Sequence, residues 1–168
     1  VSLDTIWTKT YGFPYQDYGR HIEQASDGGF IIAGYSYASS ASDSQVWLLK
    51  TDDTGDTLWT KKYGGGDNEM AFAVKEVSDG YVVCGETWTY GSGQIDVYVI
   101  KTDFNGDTLW TRAFGGAGAD YSHGMEIKDD HIYIAGHTKS FGFDDYQFYL
   151  LKIDMNGNLI WQNTYGTP

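Results

Sequence analysis

Residues 56–60 read DTLWT, and residues 107–111 read DTLWT again. Close variants stand at 4–8 (DTIWT) and 158–162 (NLIWQ). The tryptophans, Trp7, Trp59, Trp110 and Trp161, are therefore 52, 51 and 51 positions apart. A fixed period of this size is the mark of a propeller or another repeat array. The remainder of the period repeats with it. An aromatic-glycine step follows each tryptophan, at Tyr11-Gly12, Tyr63-Gly64, Phe114-Gly115 and Tyr165-Gly166. An acid follows ten residues after three of them, at Asp17, Glu69 and Asp120. Then come SDGGFIIAG (26–34), SDGYVVCG (78–85) and DDHIYIAG (129–136). Last come QVWLLKTDDTGD (45–56), DVYVIKTDFNGD (96–107) and QFYLLKIDMNGN (147–158).

One period reads as four strands. AFAVKEVS (71–78) is a strand that ends at SDG (78–80). This is a turn, because Asp bonds its own backbone and Gly accepts positive φ. YVVCGETWT (81–89) is rich in β-branched and aromatic residues. DVYVIKTD (96–103) alternates apolar and polar residues, as a half-buried strand does. DFNGD (103–107) carries Asn-Gly, the strongest short signal for a hairpin turn. TLWTRAFG (108–115) is the fourth strand, and no window holds a helical period. Four antiparallel strands repeated in this way are the unit of a β-propeller blade.

The fold expected is all-β, with blades over 13–63, 64–114 and 115–166 in a single repeat domain spanning 1–168. Residues 1–12 are then one extra outer strand, belonging to a preceding blade. Closed propellers usually have about four to eight blades. Three blades plus a strand thus predict part of a larger or oligomeric ring. Trp7, Trp59, Trp110 and Trp161 are structural blade positions, expected to pack between neighbouring sheets. Trp59 and Trp110 should be more buried than the loop residue Trp88.

The line W-T-x-x-[YF]-G-G, an acid, D-G-G-aromatic-I-x-A-G and K-T-D-x-x-G-D resembles β-propeller repeats of secreted bacterial proteins. These include the SBBP-type repeats and related ones of exported proteins from Bacteroidetes-like bacteria. The resemblance covers essentially the whole chain and implies an exported propeller; it does not specify an activity. The third repeat departs from it, because Asp130-His131 replaces Asp-Gly and leaves that turn's geometry open.

Composition agrees with short strands joined by glycine turns: 17% aromatic residues, 22 Gly and only two Pro in 168 residues. No stretch nears the roughly 18 apolar residues of a membrane helix. Neither a signal peptide nor an initiator Met is present, so a processed protein or an excised piece is expected. A net charge of −12 repels phosphate backbones and argues against nucleic acid as a partner. Cys84 is the only cysteine, so no internal disulfide forms. It stands where the other repeats have Ala33 and Ala135, as a small core residue would.

Several groups are candidates for function. The loops after the second strand carry Tyr37, Trp88, Tyr90, Phe141, Phe143 and Tyr146. Exposed aromatics beside Asp, Ser and Gln suit a sugar ring or a protein; the competing reading packs them on the adjacent blade. Asp17, Glu69 and Asp120 are candidates for cation binding, Ca2+ in particular, or for capping backbone N–H groups. The turns at 52–56, 103–107 and 154–158 resemble part of a calcium loop but lack its length and closing Glu, and hairpin chemistry accounts for their residues. His21, His123, His131 and His137 lack metal-ligand spacing. No nucleophile elbow or phosphate loop occurs.

The function expected is a non-catalytic structural or adhesion module of an exported or cell-surface protein, with no cofactor required. Its partners would be other blades, from the same polypeptide or from further copies. A lectin-like propeller using the loop aromatics is the second reading. A hydrolase with acids at the channel mouth is the third.

Overall fold

The computed structural model of the chain describes residues 7–37, 43–142 and 145–166. They form an all-β, propeller-like structure with no helix among the described residues. The first sheet holds β1 (Asp17–Gln24), β2 (Phe30–Tyr37), β3 (Ser44–Thr51) and β4 (Thr57–Tyr63). The second holds β5 (Glu69–Val77), β6 (Gly80–Thr87), β7 (Asp96–Thr102) and β8 (Thr108–Phe114). The third holds β9 (Asp120–Lys128), β10 (His131–Thr138), β11 (Gln147–Asp154) and β12 (Leu159–Tyr165). Every sheet is an antiparallel meander in chain order, and the three do not close into a ring.

The first strand of the second sheet, β5, lies against both β1 and β9. There Lys75 sits between Glu23 at 3.8 Å and Glu126 at 3.6 Å, one charge from each sheet. The tryptophan strands β4, β8 and β12 are outermost.

Packing follows the period-2 alternation of the strands. Ile31, Ala33, Val46 and Leu48 face the second sheet and meet Val74, Tyr81, Val83 and Ile100. One repeat later Val82, Cys84, Val97 and Val99 meet Met125, Ile132, Ile134 and Leu151. The second sheet is therefore covered on both faces, and every residue of β6 and β7 is buried. In the third sheet β11 alternates buried and open positions, because only one face is covered.

The repeated Ala-Gly and Cys-Gly steps have a geometric cause. At Gly34, Gly85 and Gly136 an added Cβ would stand 1.8, 1.9 and 1.7 Å from a carbonyl oxygen of the inner strand. Each lies at a register shift in the pairing of the first two strands or next to it. The turn that departs from the pattern is solved differently. Asp129 and Asp130 both take positive φ, 50° and 55°, which short polar side chains tolerate.

Of the repeat tryptophans, Trp59, Trp110 and Trp161 are half-buried, as is Trp88. The reason is where they pack. Trp59 lies against the turn glycine of the next sheet, Gly106, and Trp110 against Gly157. Tyr63 Oη donates to Gly106 O at 2.6 Å, and Lys61 pairs with Asp107 at 2.8 Å. Residues 1–6 lie outside the described residues, and Trp7–Gly12 form no strand. Yet Trp7 lies against Gly55, Tyr11 Oη donates to Gly55 O at 2.6 Å, and Lys9 pairs with Asp56. This segment thus makes the contacts that β4 makes one repeat later.

Among the described residues Trp161 covers no turn. Trp110→Ala is expected to lower the unfolding free energy by about 2 kcal/mol, the scale of a partly buried large side chain. Trp161→Ala should lower it by less than half as much, as read from urea titrations.

Candidate functional site

The two ends of the sheets differ in chemistry. At one end lie the β2–β3 loops and the links between sheets. There Glu69 Oε2 accepts Gly65 N–H at 2.8 Å and Oε1 accepts Thr87 Oγ1 at 3.0 Å. Asp120 repeats this, accepting Gly116 N–H at 2.8 Å and the Thr138 hydroxyl. Asp17 accepts Phe13 N–H at 2.7 Å, but its second oxygen is buried without a partner. Ser36, which stands where Thr87 and Thr138 stand, accepts Lys62 Nζ instead. The three acids sit in three separate sheets, and each ties down the link that enters its own sheet. Among the described residues no group of three or more His, Cys, Asp or Glu is placed to hold a metal.

The β3–β4, β7–β8 and β11–β12 turns lie at the opposite end. Asp52 Oδ1 accepts Thr54 N–H at 2.9 Å and Asp56 N–H at 2.8 Å. Asp103 and Asp154 repeat both bonds. The carboxylates are thus turned inward on their own hairpins; the Asp56 N–H above all lowers the Asp52 pKa, and the Asn158 side-chain amide, then its backbone N–H, lowers that of Asp154.

The loop aromatics do not converge. Phe141 packs on Tyr149 at 5.7 Å, and Tyr90 stacks on Tyr98 at 5.5 Å while its Oη donates to Gly64 O. Tyr37 stands edge-on to Tyr18 and Tyr35 at 6.4 and 6.0 Å, and Trp88 is half-buried. Phe143 lies outside the described residues. Tyr146 is exposed and stands edge-on to His137 at 4.7 Å.

That contact belongs to a cluster that sequence spacing concealed. His123 Nε2 and His137 Nδ1 are 2.8 Å apart, and His137 stacks on Tyr121 at 4.5 Å. The two histidines come from paired strands, 14 residues apart in the chain. Burial, then the neighbouring His123, lowers the His137 pKa. His21 and His131 bond only backbone groups, the amide of Val74 and the carbonyl of Asp129.

A second place missed in the sequence is a cleft at the turn end, between the first and second sheets. Trp59, Tyr81 and Phe104 line it, with Asp27, Lys50 and Glu76. The signal was a broken repeat: Glu76, Tyr81 and Phe104 stand where the third sheet and its turn carry Ile127, Ile132 and Met155.

Two buried acids in the second sheet also break the repeat. Asp96 replaces Gln45 and Gln147, and burial followed by the charge of Asp120 raises it to about 6. Glu86 replaces Tyr35 and His137, and burial raises it to about 7. Cys84, fully buried, is pushed up to about 12 by burial, which removes it as a nucleophile.

No family model matches the chain. Among curated proteins, the regulatory protein FlaEY of Caulobacter vibrioides is 28% identical over 134 residues. The match takes in 71% of this chain but only 14% of that protein's length.

The raised acids carry a pH dependence whose sign is fixed. A carboxyl with a folded pKa above its unfolded value stabilises the fold most below the unfolded pKa, and this is lost as pH rises through the folded one. For Glu86 the window runs from 4.5 to about 7. Glu86→Gln should therefore change the urea midpoint little at the acid end and raise it at the alkaline end. A variant with the same slope of stability against pH as the parent would remove Glu86 as its source.

Proposed function

We propose that this chain is a non-catalytic propeller module of an exported or cell-surface protein, and that its two outer faces carry further blades of the same repeat. The observation behind this is the register of the faces. Residues 31, 33, 46 and 48 of the first sheet, and 82, 84, 97 and 99 of the second, pack on the sheet that follows. The same positions in the third sheet are Tyr133, Ala135, Phe148 and Leu150, and Phe148 is 51% exposed. At the other end, Ile22 stands where Val74 and Met125 are buried, and is 58% exposed.

The two open faces are of opposite kinds. One is the face that each blade presents to its successor; the other is the face that receives a predecessor. A head-to-tail contact therefore joins faces of the two kinds already paired within the chain. Burying several large apolar side chains at each contact stabilises it by several kcal/mol, at about 25 cal/mol per Å2. The acidic surface and the repeat pattern support an exported setting.

Light scattering on the purified chain is expected to give masses above the 18.7 kDa of a single copy, rising with concentration. Phe148→Glu with Leu150→Glu should return it to a single copy. A sharp, dilution-stable 18.7 kDa species with native near-UV dichroism would sink the proposal.

A further inference from the structure

We propose that the cleft between the first and second sheets, walled by Trp59, Tyr81 and Phe104, binds a saccharide ring. This goes beyond the scaffold reading and does not depend on how the outer faces are filled. The cleft has a volume of about 310 Å3, at the lower end of the range for small-molecule sites. It is open at the turn end, well away from the loop aromatics.

Its walls are a departure from the repeat. Trp59 and the Lys50–Asp27 pair have counterparts in Trp110 and the Lys101–Asp79 pair one junction later. At that later junction Trp110 Nε1 donates to Met155 O at 3.2 Å, and Lys101 Nζ reaches the same oxygen at 3.5 Å. The places of Glu76, Tyr81 and Phe104 are taken there by Ile127, Ile132 and Met155. At the first junction Tyr81 stands between Trp59 at 6.1 Å and Phe104 at 5.7 Å, edge-on to the latter. Trp59 has no hydrogen-bond partner among the described residues, so its indole N–H is available. Phe104 is 45% exposed, at a turn tip whose hairpin chemistry does not require an aromatic.

The polar groups select among ligands. The Lys50 ammonium is held by Asp27 at 2.8 Å and by Thr51 O at 2.9 Å. Glu76 Oε2 accepts Ser26 N–H at 3.0 Å. The cleft thus offers two carboxylates and an indole N–H within one opening, while the Lys50 ammonium is buried behind them. An anionic ligand would meet Asp27 and Glu76, and a cationic one would find Asp27 already paired with Lys50. A purely apolar ligand would strip water from the two carboxylates without replacing it. A neutral ring whose hydroxyls both donate and accept, and whose C–H face lies on an aromatic, satisfies every group. A pyranose has that chemistry.

The test is a glycan array followed by tryptophan-fluorescence titration of the hits, with choline and inorganic phosphate as charged controls. At least one saccharide should bind saturably, with a Kd of about 1 mM or tighter. Phe104→Ala and Glu76→Gln should each weaken it by about tenfold, or about 1.4 kcal/mol. Both residues are surface-accessible, and far-UV dichroism should confirm that the fold is kept. Tyr90→Ala and Tyr146→Ala, at the other end, should leave binding unchanged. No saccharide bound at any concentration reached, binding that survives Phe104→Ala, binding lost with the loop variants, or preference for choline or phosphate would each overturn the proposal. None of these results alters the mass seen by light scattering.

Discussion

No sheet in this molecule can be stable by itself. A four-stranded meander apolar on both faces has no interior; it acquires one only when another sheet lies on it. The second sheet shows the satisfied condition, with β6 and β7 buried along their whole length. Everything else follows from that requirement. Strand order, the small residue at Cys84 and its equivalents, and the glycines that let inner strands approach all serve to bring one face flat against the next. Stability is then a property of junctions, and a mutation acts on the two sheets that share its face.

A second device links the blades at their rim. An outer-strand Trp covers the turn glycine of the next blade, its Tyr bonds the carbonyl of that glycine, and a Lys pairs with the acid that closes the turn. Three dispersed motif residues thus meet one Asn-Gly or Thr-Gly hairpin. The third turn keeps the ring contact but loses the charge, since Asn158 replaces the acid there. This rim lock explains why Trp59 and Trp110 repeat in type yet are only half-buried. They are shared between blades rather than enclosed by them.

Most of the fold was legible because it is written in local chemistry. Asn-Gly turns, alternating strands and a constant period leave few alternatives to four-stranded blades. The depth of Trp59 and Trp110 was not legible, because periodicity gives the spacing of a side chain and not its depth. The candidate site was much less legible. Loop aromatics such as Phe141 and Tyr90 turned onto their own blades, which composition does not reveal. His123 and His137 meet only through strand pairing. The cleft at Trp59 became visible once Tyr81 and Phe104 could be compared with Ile132 and Met155 in equivalent places. Symmetry broken between repeats was the usable signal, and a single repeat read by itself does not contain it.

The segment from Trp7 to Tyr11 has a kinetic meaning. It occupies the rim of the first blade in the way an outer strand would. β12 of an arriving copy carries the equivalent residues, with Asn163 where the segment has Lys9. Two claimants therefore exist for one seat at any head-to-tail junction, and the resident holds an ion pair with Asp56 that the newcomer cannot form. If copies join head to tail as proposed, assembly would wait for the resident to leave. At high protein concentration its rate would then level off at that of a unimolecular release, and the molecule would set the pace of its own polymerisation from within.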